Sequence, residues 1–404
     1  MSLLQPNGGF LWERFLSTPN ETERAYKVQT LGEWCAANNE PYALLEAGGE
    51  LVRRYPGAQA GEFFDIKTPP VFVGRLRDTV VLPVSTFNCT PDHALIYAGL
   101  THRDYALASD LGPFLVQILS QSLCQLRIPN EMPVVEQECI FLGGRANFGH
   151  FIFESLARWA LGARIPGSGS LPVAIYDGMP ERFHEFLELA GIPRARHLRI
   201  DMNLPTRFKR VWRVSSPLYM GTTPTGAHAP LWWPKGVGFI HSQVRSGAGL
   251  PDGPSSLSER PILYVARGPQ KWRRILNEAE VIECVKKYGG TPITLDGLSA
   301  QEQVRLVGNA RAMILHSGAA NAISLFAPQD CAIVEFQPTS VSAFFGPVAY
   351  ASCLGQPYRR IHCRVATAEE ALAAGFPMNS EYGFDADYWV DCQALGAALK
   401  SLLP

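Results

Sequence analysis

The sequence predicts an α/β chain built as two layered units. Three observations carry this. Short Val/Ile/Leu-rich runs alternate with helical patterns in both halves. A Gly-, Pro- and Ser-rich stretch, RSGAGLPDGPSSLSERP at 245–261, separates the halves. The length, 404 residues with 47% hydrophobic and 18% charged side chains, supplies cores for two or three domains.

Residues 1–70 read as an N-terminal extension, with a helical pattern at 30–54 broken near Pro41. From Val71 the pattern turns strand-like in VFVGRLRDTVVLPVSTF, and VVEQECIFL at 134–142 is a second strand ending in Gly143-Gly144. A helix is expected from about His150 to Leu161, then a strand in LPVAIYD and a helix in PERFHEFLELAG stopped by Gly191. RHLRI and FKRVWRV are further strands. Residues 71–245 thus form a first α/β domain with a largely parallel sheet, and 246–261 its linker.

Residues 262–380 are punctuated more clearly. ILYVA is a buried strand; Asn277 with Glu280 and Ser299 with Glu302 read as capping boxes opening two helices. TPITL, AMILH and CAIVEF are strands, and SGAANAISLF is a turn into a helix. The alternation is doubly wound. Residues 381–404 close the chain with a helix over about 390–403.

A net charge of −1 gives no general grip on nucleic acid or an anionic membrane. Nine cysteines with no C-x-x-C pair read as small buried hydrophobes in a reducing compartment. The N-terminus shows no signal-peptide pattern, and no run reaches the ~20 apolar residues of a membrane helix. The sequons at Asn20 and Asn88 then carry no meaning. The expected setting is the cytoplasm, with peripheral association at the inner face of the membrane compatible with it.

Three groups of residues could carry chemistry. At His316-Ser317-Gly318-Ala319-Ala320-Asn321, small residues follow a strand and open a helix, so backbone N–H groups and the helix dipole suit an anion such as a diphosphate. Arg267, Lys271, Arg273 and Arg274 crowd the exit of ILYVA, where guanidiniums suit phosphate oxygens, and Asn277-Glu278 follow. Glu335, taken to end CAIVEF, can accept from the hydroxyls of a ribose. In the first domain Asn147-Phe148-Gly149-His150 leads into FIFESLARWALG, where His150, Glu154 and Arg158 recur at i, i+4 and i+8 on one helix face. An imidazole one turn from a carboxylate can act as a general base; the plain alternative is a surface stripe with a Glu154–Arg158 pair.

Taken in order, these segments resemble glycosyltransferase family 61. The resemblance rests on NFGHFIFESLAR, ARGPQKWRRILNE, LSAQEQV, HSGAAN, FAP, IVEF and GQPYRRI, spread over roughly residues 71–404. Ala266 stands where the family has Ser, His316-Ser317-Gly318-Ala319 where it has H-G-A-G, and Phe151 where it has Trp. The resemblance implies a GT-B-like architecture: two Rossmann-like domains facing a cleft, with the donor held by the C-terminal one, the acceptor side on the N-terminal one, and a last helix crossing back to the first domain. It implies inverting transfer from a nucleotide sugar, UDP-linked, to a glycan or lipid-linked glycan, as in bacterial surface-polysaccharide synthesis.

On that reading His150 or Glu154 is the base, and Asn147, Gly149 and Arg158 lie on the acceptor side. Arg267, Arg273, Arg274, Asn277, Glu278, His316, Ser317, Gly318, Ala319, Asn321 and Glu335 bind the donor. No metal or other cofactor is expected: Asp385-Ala386-Asp387 matches D-x-D in letters only and reads as a cap or solvated turn before the closing helix. The competing classes are a nucleotide-sugar epimerase, a dehydrogenase (disfavoured by the lack of G-x-G-x-x-G) and a non-catalytic binding module.

Overall fold

The computed structural model describes residues 21–56, 63–83, 87–98, 114–120, 122–222, 228–251, 259–266, 272–339, 346–376 and 385–402. The chain forms two units. The first comprises residues up to Glu50, Lys67–Glu188 and Ile192–Gly236; the second comprises Leu51–Ile66, Leu189–Gly191 and Val237–Pro404. The division falls at Gly236/Val237, inside the helix Pro234–Gly247, rather than in the Gly/Pro/Ser stretch.

The first unit is organised by a 12-stranded mixed sheet. Its main order is His197–Ile200, Val173–Tyr176, Cys139–Gly143, Thr206–Val214, Val71–Val81, Phe87–Cys89, Ala94–Tyr97, Glu21–Thr30, Leu123–Pro129 and Leu115–Ser120. The first four strands pair in parallel. Cys139–Gly143 and Val173–Tyr176 are buried along their whole length, which explains their unbroken apolar sequences. Beyond Thr206–Val214 most pairing is antiparallel. The expected parallel sheet is therefore confined to one end.

The N-terminal segment is not an appendage. Glu21–Thr30 pairs with Leu123–Pro129 and with Ala94–Tyr97 inside the sheet. The helix expected over 30–54 is short, Leu31–Asn38. Thr30 and Glu33 cap it reciprocally, and Asn39 leaves it in the left-handed conformation, φ 54°. After Pro41 the chain extends as Tyr42–Glu46 along Val71–Val81. Leu31, Trp34 and Cys35 bury the helix against Phe72, Leu76 and Phe141.

The second unit holds a six-stranded sheet in the order Gly290–Ile293, Ile262–Val265, Ala312–His316, Ala332–Pro338, Tyr358–Val365, Tyr388–Trp389. The first five strands are parallel and the last antiparallel. In chain order this is 2-1-3-4-5, a doubly wound arrangement whose order reverses between Ile262–Val265 and Ala312–His316. Ser299 and Glu302 form the expected capping box for Ala300–Val307. The segment after His316 is a 3₁₀ helix, Ala319–Phe326, where an α-helix was expected. The closing helix, Cys392–Leu402, sets Leu395, Ala398 and Leu399 into the core of this same unit with Val281 and Val285. It completes the second unit's core.

Candidate functional site

In the first unit the site begins where Cys139–Gly143 ends. Gly143 has φ 72° and Gly144 φ 154°, and a Cβ on Gly144 would lie 2.3 Å from Met179 Sδ. Only glycine fits this exit. The chain then passes Arg145 to Asn147, whose side-chain oxygen accepts from the His150 N–H at 3.2 Å. Phe148 lies against Phe183 and Phe186 and Phe151 stacks on Phe183 at 4.6 Å, anchoring the turn. Gly149 is buried under it. The His150 side chain, 44% exposed, faces solvent on this rigid base.

The expected α-helix from His150 to Leu161 is interrupted. Phe151–Leu156 is a π-helical turn, with Ala157 N–H donating to Ile152 O at 3.1 Å. Such turns concentrate at functional sites because they re-aim side chains. His150 and Glu154 do meet, Nδ1 to Oε1, at 2.6 Å. The Glu154–Arg158 ion pair of the plain alternative does not form. Arg145 Nε approaches the other carboxylate oxygen at 3.3 Å, while Arg158 donates to Leu142 O at 3.0 Å and Ser216 Oγ at 3.4 Å. Arg145 gave no periodic signal, since it lies before the helix.

These contacts set the charge states. Burial works to raise the Glu154 pKa, but Arg145, the hydrogen bond and charge of His150, and Arg158 outweigh it and hold the carboxyl at about 2. Glu154 is therefore an anion that accepts, so Nδ1 of His150 must carry the proton it donates. The Nε2 of a neutral imidazole is then an acceptor, and it has no partner among the described residues. A carboxylate held near 2 is a poor proton acceptor at neutral pH. The geometry fits Glu154 as the orienting partner and His150 as the base.

The shift also ties Glu154 to stability. Its folded value lies below the ordinary 4.5, so the stabilisation is complete above 4.5 and lost as pH falls towards 2. Glu154→Gln is expected to melt below the parent at pH 7, with the gap closing over that acid range in paired thermal melts. A gap that stays constant to pH 2 would show that the charge is not responsible.

In the second unit the candidate donor residues separate into two sets. His316, Ser317 and Asn321 are buried at the carboxyl end of Ala312–His316, beside the point where strand order reverses. Gly318 is extended and Ala319 opens the 3₁₀ helix. Both side-chain polar atoms of Asn321 are buried without a hydrogen-bond partner among the described residues. A primary amide left in that state costs free energy unless a ligand supplies partners.

The second set is occupied by protein. Arg274 grips Asp387 through its side chain, with Nε 3.1 Å from both carboxylate oxygens and Nη2 2.6 Å from Oδ2, and its backbone N–H donates to Oδ1 at 2.7 Å. Its guanidinium also lies over the Phe376 ring. Arg273, at φ 52°, has Nε 3.7 Å from an Asp385 oxygen. Asn277 does not cap its helix with its side chain. Its amide exchanges two hydrogen bonds with the Val390 backbone, at 2.9 and 3.0 Å. Glu278 accepts from Tyr264. Residues 272–278 thus zip onto 385–390, and Asp385 and Asp387 are ion-pair partners instead of a solvated turn. Arg267 and Lys271 lie outside the described residues.

Glu335 does not end its strand. The strand continues to Pro338, in register with Tyr358–Cys363. The carboxylate is fully buried, accepts from the Tyr358 hydroxyl and pairs with Arg360 at 3.3 Å. Burial pushes its pKa up, against Arg360 and Tyr358. Its Oε1 has no partner among the described residues. Among the described residues no group of three or more His, Cys, Asp or Glu gathers as a metal site, and no helix is long and apolar enough to cross a membrane.

Comparison with known proteins gives the class first. The segment holding the imidazole–carboxylate pair, the linker and the reversal point of the second sheet is glycosyltransferase sequence, and the protein is a glycosyltransferase. A family model described as Glycosyltransferase 61 matches residues 148–334. No curated protein matches the chain. Among solved structures, the E. coli ADP-heptose lps heptosyltransferase II is similar at 13% identity and TM-score 0.32, over 66% of this chain and 98% of that one. The dodecameric iron-containing heptosyltransferase TibC in complex with ADP-D-beta-D-heptose is similar at 13% identity and TM-score 0.31, over 83% and 96%. The TibC structure from enterotoxigenic E. coli H10407 gives 12% and 0.31, over 87% and 89%.

Proposed function

We propose that the protein is a GT-B-like inverting glycosyltransferase that moves a sugar from a nucleotide donor, UDP-linked, to a hydroxyl of a glycan or lipid-linked glycan in surface-polysaccharide synthesis. The observation that carries the reading is the 2.6 Å His150–Glu154 contact with Glu154 held as an anion. It supports an imidazole with its free nitrogen outward, ready to take the acceptor proton as the hydroxyl attacks the anomeric carbon. The proton moves to Nε2, Glu154 stabilises the imidazolium, and the nucleoside diphosphate leaves.

The donor is assigned to the second unit. The unpartnered amide of Asn321 and the small residues at Ser317–Ala319 support a subsite at the reversal point, where ligands of doubly wound sheets bind. Arg267 is the candidate counter-charge for the leaving diphosphate. Arg274 and Asn277 are assigned to holding the 385–390 segment, and Glu335 to a buried contact with Tyr358 and Arg360.

The test is product analysis with nucleotide-sugar and acceptor panels, with and without EDTA. The expected result is nucleoside diphosphate release that depends on acceptor, persists in EDTA and gives a product of inverted anomeric configuration by proton NMR. A retained configuration would overturn direct displacement. Conversion of donor with no acceptor present would show an epimerase.

A further inference from the structure

The charges around Glu154 do not balance. Among the described residues Arg145 and Arg158 interact with Glu154, and Arg213 interacts in turn with Arg158, so three guanidiniums adjoin one carboxylate. Arg213 is the deepest. It lies on the strand Thr206–Val214 and is 4% exposed, with its guanidinium over the Phe141 ring at 4.2 Å from the centroid. The ring attracts the cation but accepts no N–H in the guanidinium plane. Nε and Nη1 of Arg213 are buried with no hydrogen-bond partner among the described residues. Three residues on, Ser216 receives Arg158. Arg158 is only partly buried; it donates to Leu142 O and Ser216 Oγ and couples electrostatically to Glu154, the carboxylate that holds His150.

A buried guanidinium without a counter-charge is costly. Burial first, and the repulsion of Arg158 second, pull the Arg213 pKa down to about 9. An anion placed at the pair relieves both and satisfies guanidinium N–H groups in the geometry they suit best.

We propose that the first unit binds an anionic group of the acceptor, a carboxylate or phosphate borne on the sugar, at Arg158 backed by Arg213, next to the imidazole of His150. This rests on the reading of His150 as the base acting on an acceptor hydroxyl, and it names the acceptor as an acidic glycan. Arg158 touches the anion, and Arg213 acts behind it as a positioning residue.

Calorimetric titration of the full chain with D-glucuronate, D-glucose 1-phosphate, neutral D-glucose and UDP tests this. At least one acidic sugar is expected to bind saturably while glucose at the same concentration does not, and the acid that binds identifies carboxylate or phosphate as the group. Arg213→Gln is expected to weaken that binding by at least about tenfold, the scale of losing a charged hydrogen-bonding partner. Glucose binding as well as the acids, no binding of either acid, or an Arg213→Gln protein that binds the acid as the parent does would each overturn the proposal. UDP displacing the acid and being weakened by the same substitution would assign the site to the donor's diphosphate and overturn it too. If Arg213→Gln does not fold, the comparison of acid with glucose on the unaltered protein decides. His150→Ala is expected to keep acid binding. If that variant binds acid and also retains full turnover, the base reading fails and the anion site stands.

Discussion

Replacing His150 by alanine is expected to lower turnover by roughly 10²–10⁴-fold, the usual worth of a positioned general base, while leaving donor binding unchanged. The argument starts from Glu154. Its carboxylate takes the imidazole through Nδ1 at 2.6 Å and Arg145 through the other oxygen, so its pKa sits at about 2 and its oxygens are occupied. That fixes which imidazole nitrogen faces outward and stabilises the ring once it is protonated. The check is single-turnover kinetics with the true acceptor, beside a donor titration by calorimetry. Nε2 makes no hydrogen bond among the described residues; alanine removes the Nδ1 contact to Glu154, whose other oxygen keeps Arg145 at 3.3 Å, so the fold is expected to survive with a modest loss of stability. Full activity in the alanine variant would end the assignment of the base to His150.

Arg274→Ala is expected to cost about 3–5 kcal/mol of stability, because it strands a buried carboxylate. Arg274 and Asp387 are 7% and 4% exposed along their side chains, and Asp387 also holds the Arg274 backbone N–H. The pair closes the zipper that brings Ile275 beside Tyr388 and Asn277 onto Val390. The double variant Arg274→Ala/Asp387→Ala should lose less than Arg274→Ala alone, since the stranded charge is gone. Denaturant melts of the three proteins read this directly. A single variant as stable as the parent would show that the pair does not hold the segment. Loss of donor binding in Arg274→Ala is then expected only as far as the unit itself is loosened.

Much of the second unit was legible because local patterns there agree with the final packing. Ser299-x-x-Glu302 capped its helix, and the strands ILYVA and AMILH lie where their apolar runs stand. The first unit was harder. Glu21–Thr30 alternates weakly, and its partners are Leu123–Pro129 and Ala94–Tyr97, far along the chain, so nothing local marks it as a strand of the sheet. The His150–Glu154 pair could be read from an i, i+4 spacing, which survives the change from an α to a π turn. Arg158 could not, because that turn sends its guanidinium to Leu142 and Ser216.

By itself the sequence determined the alternation of strands and helices and the small-residue turn after His316, and it offered His150 with Glu154 as one of two readings of a helix face, because each is written within a few residues. The tertiary structure alone decided which arginines are spent on the fold. Arg274 meets Asp387 across 113 residues, and Arg145, in the turn before the helix, sits on Glu154 where the helix spacing offered Arg158. A charged side chain carries no mark of its partner in the sequence; desolvation on folding selects that partner, and it does so through contacts made at long range.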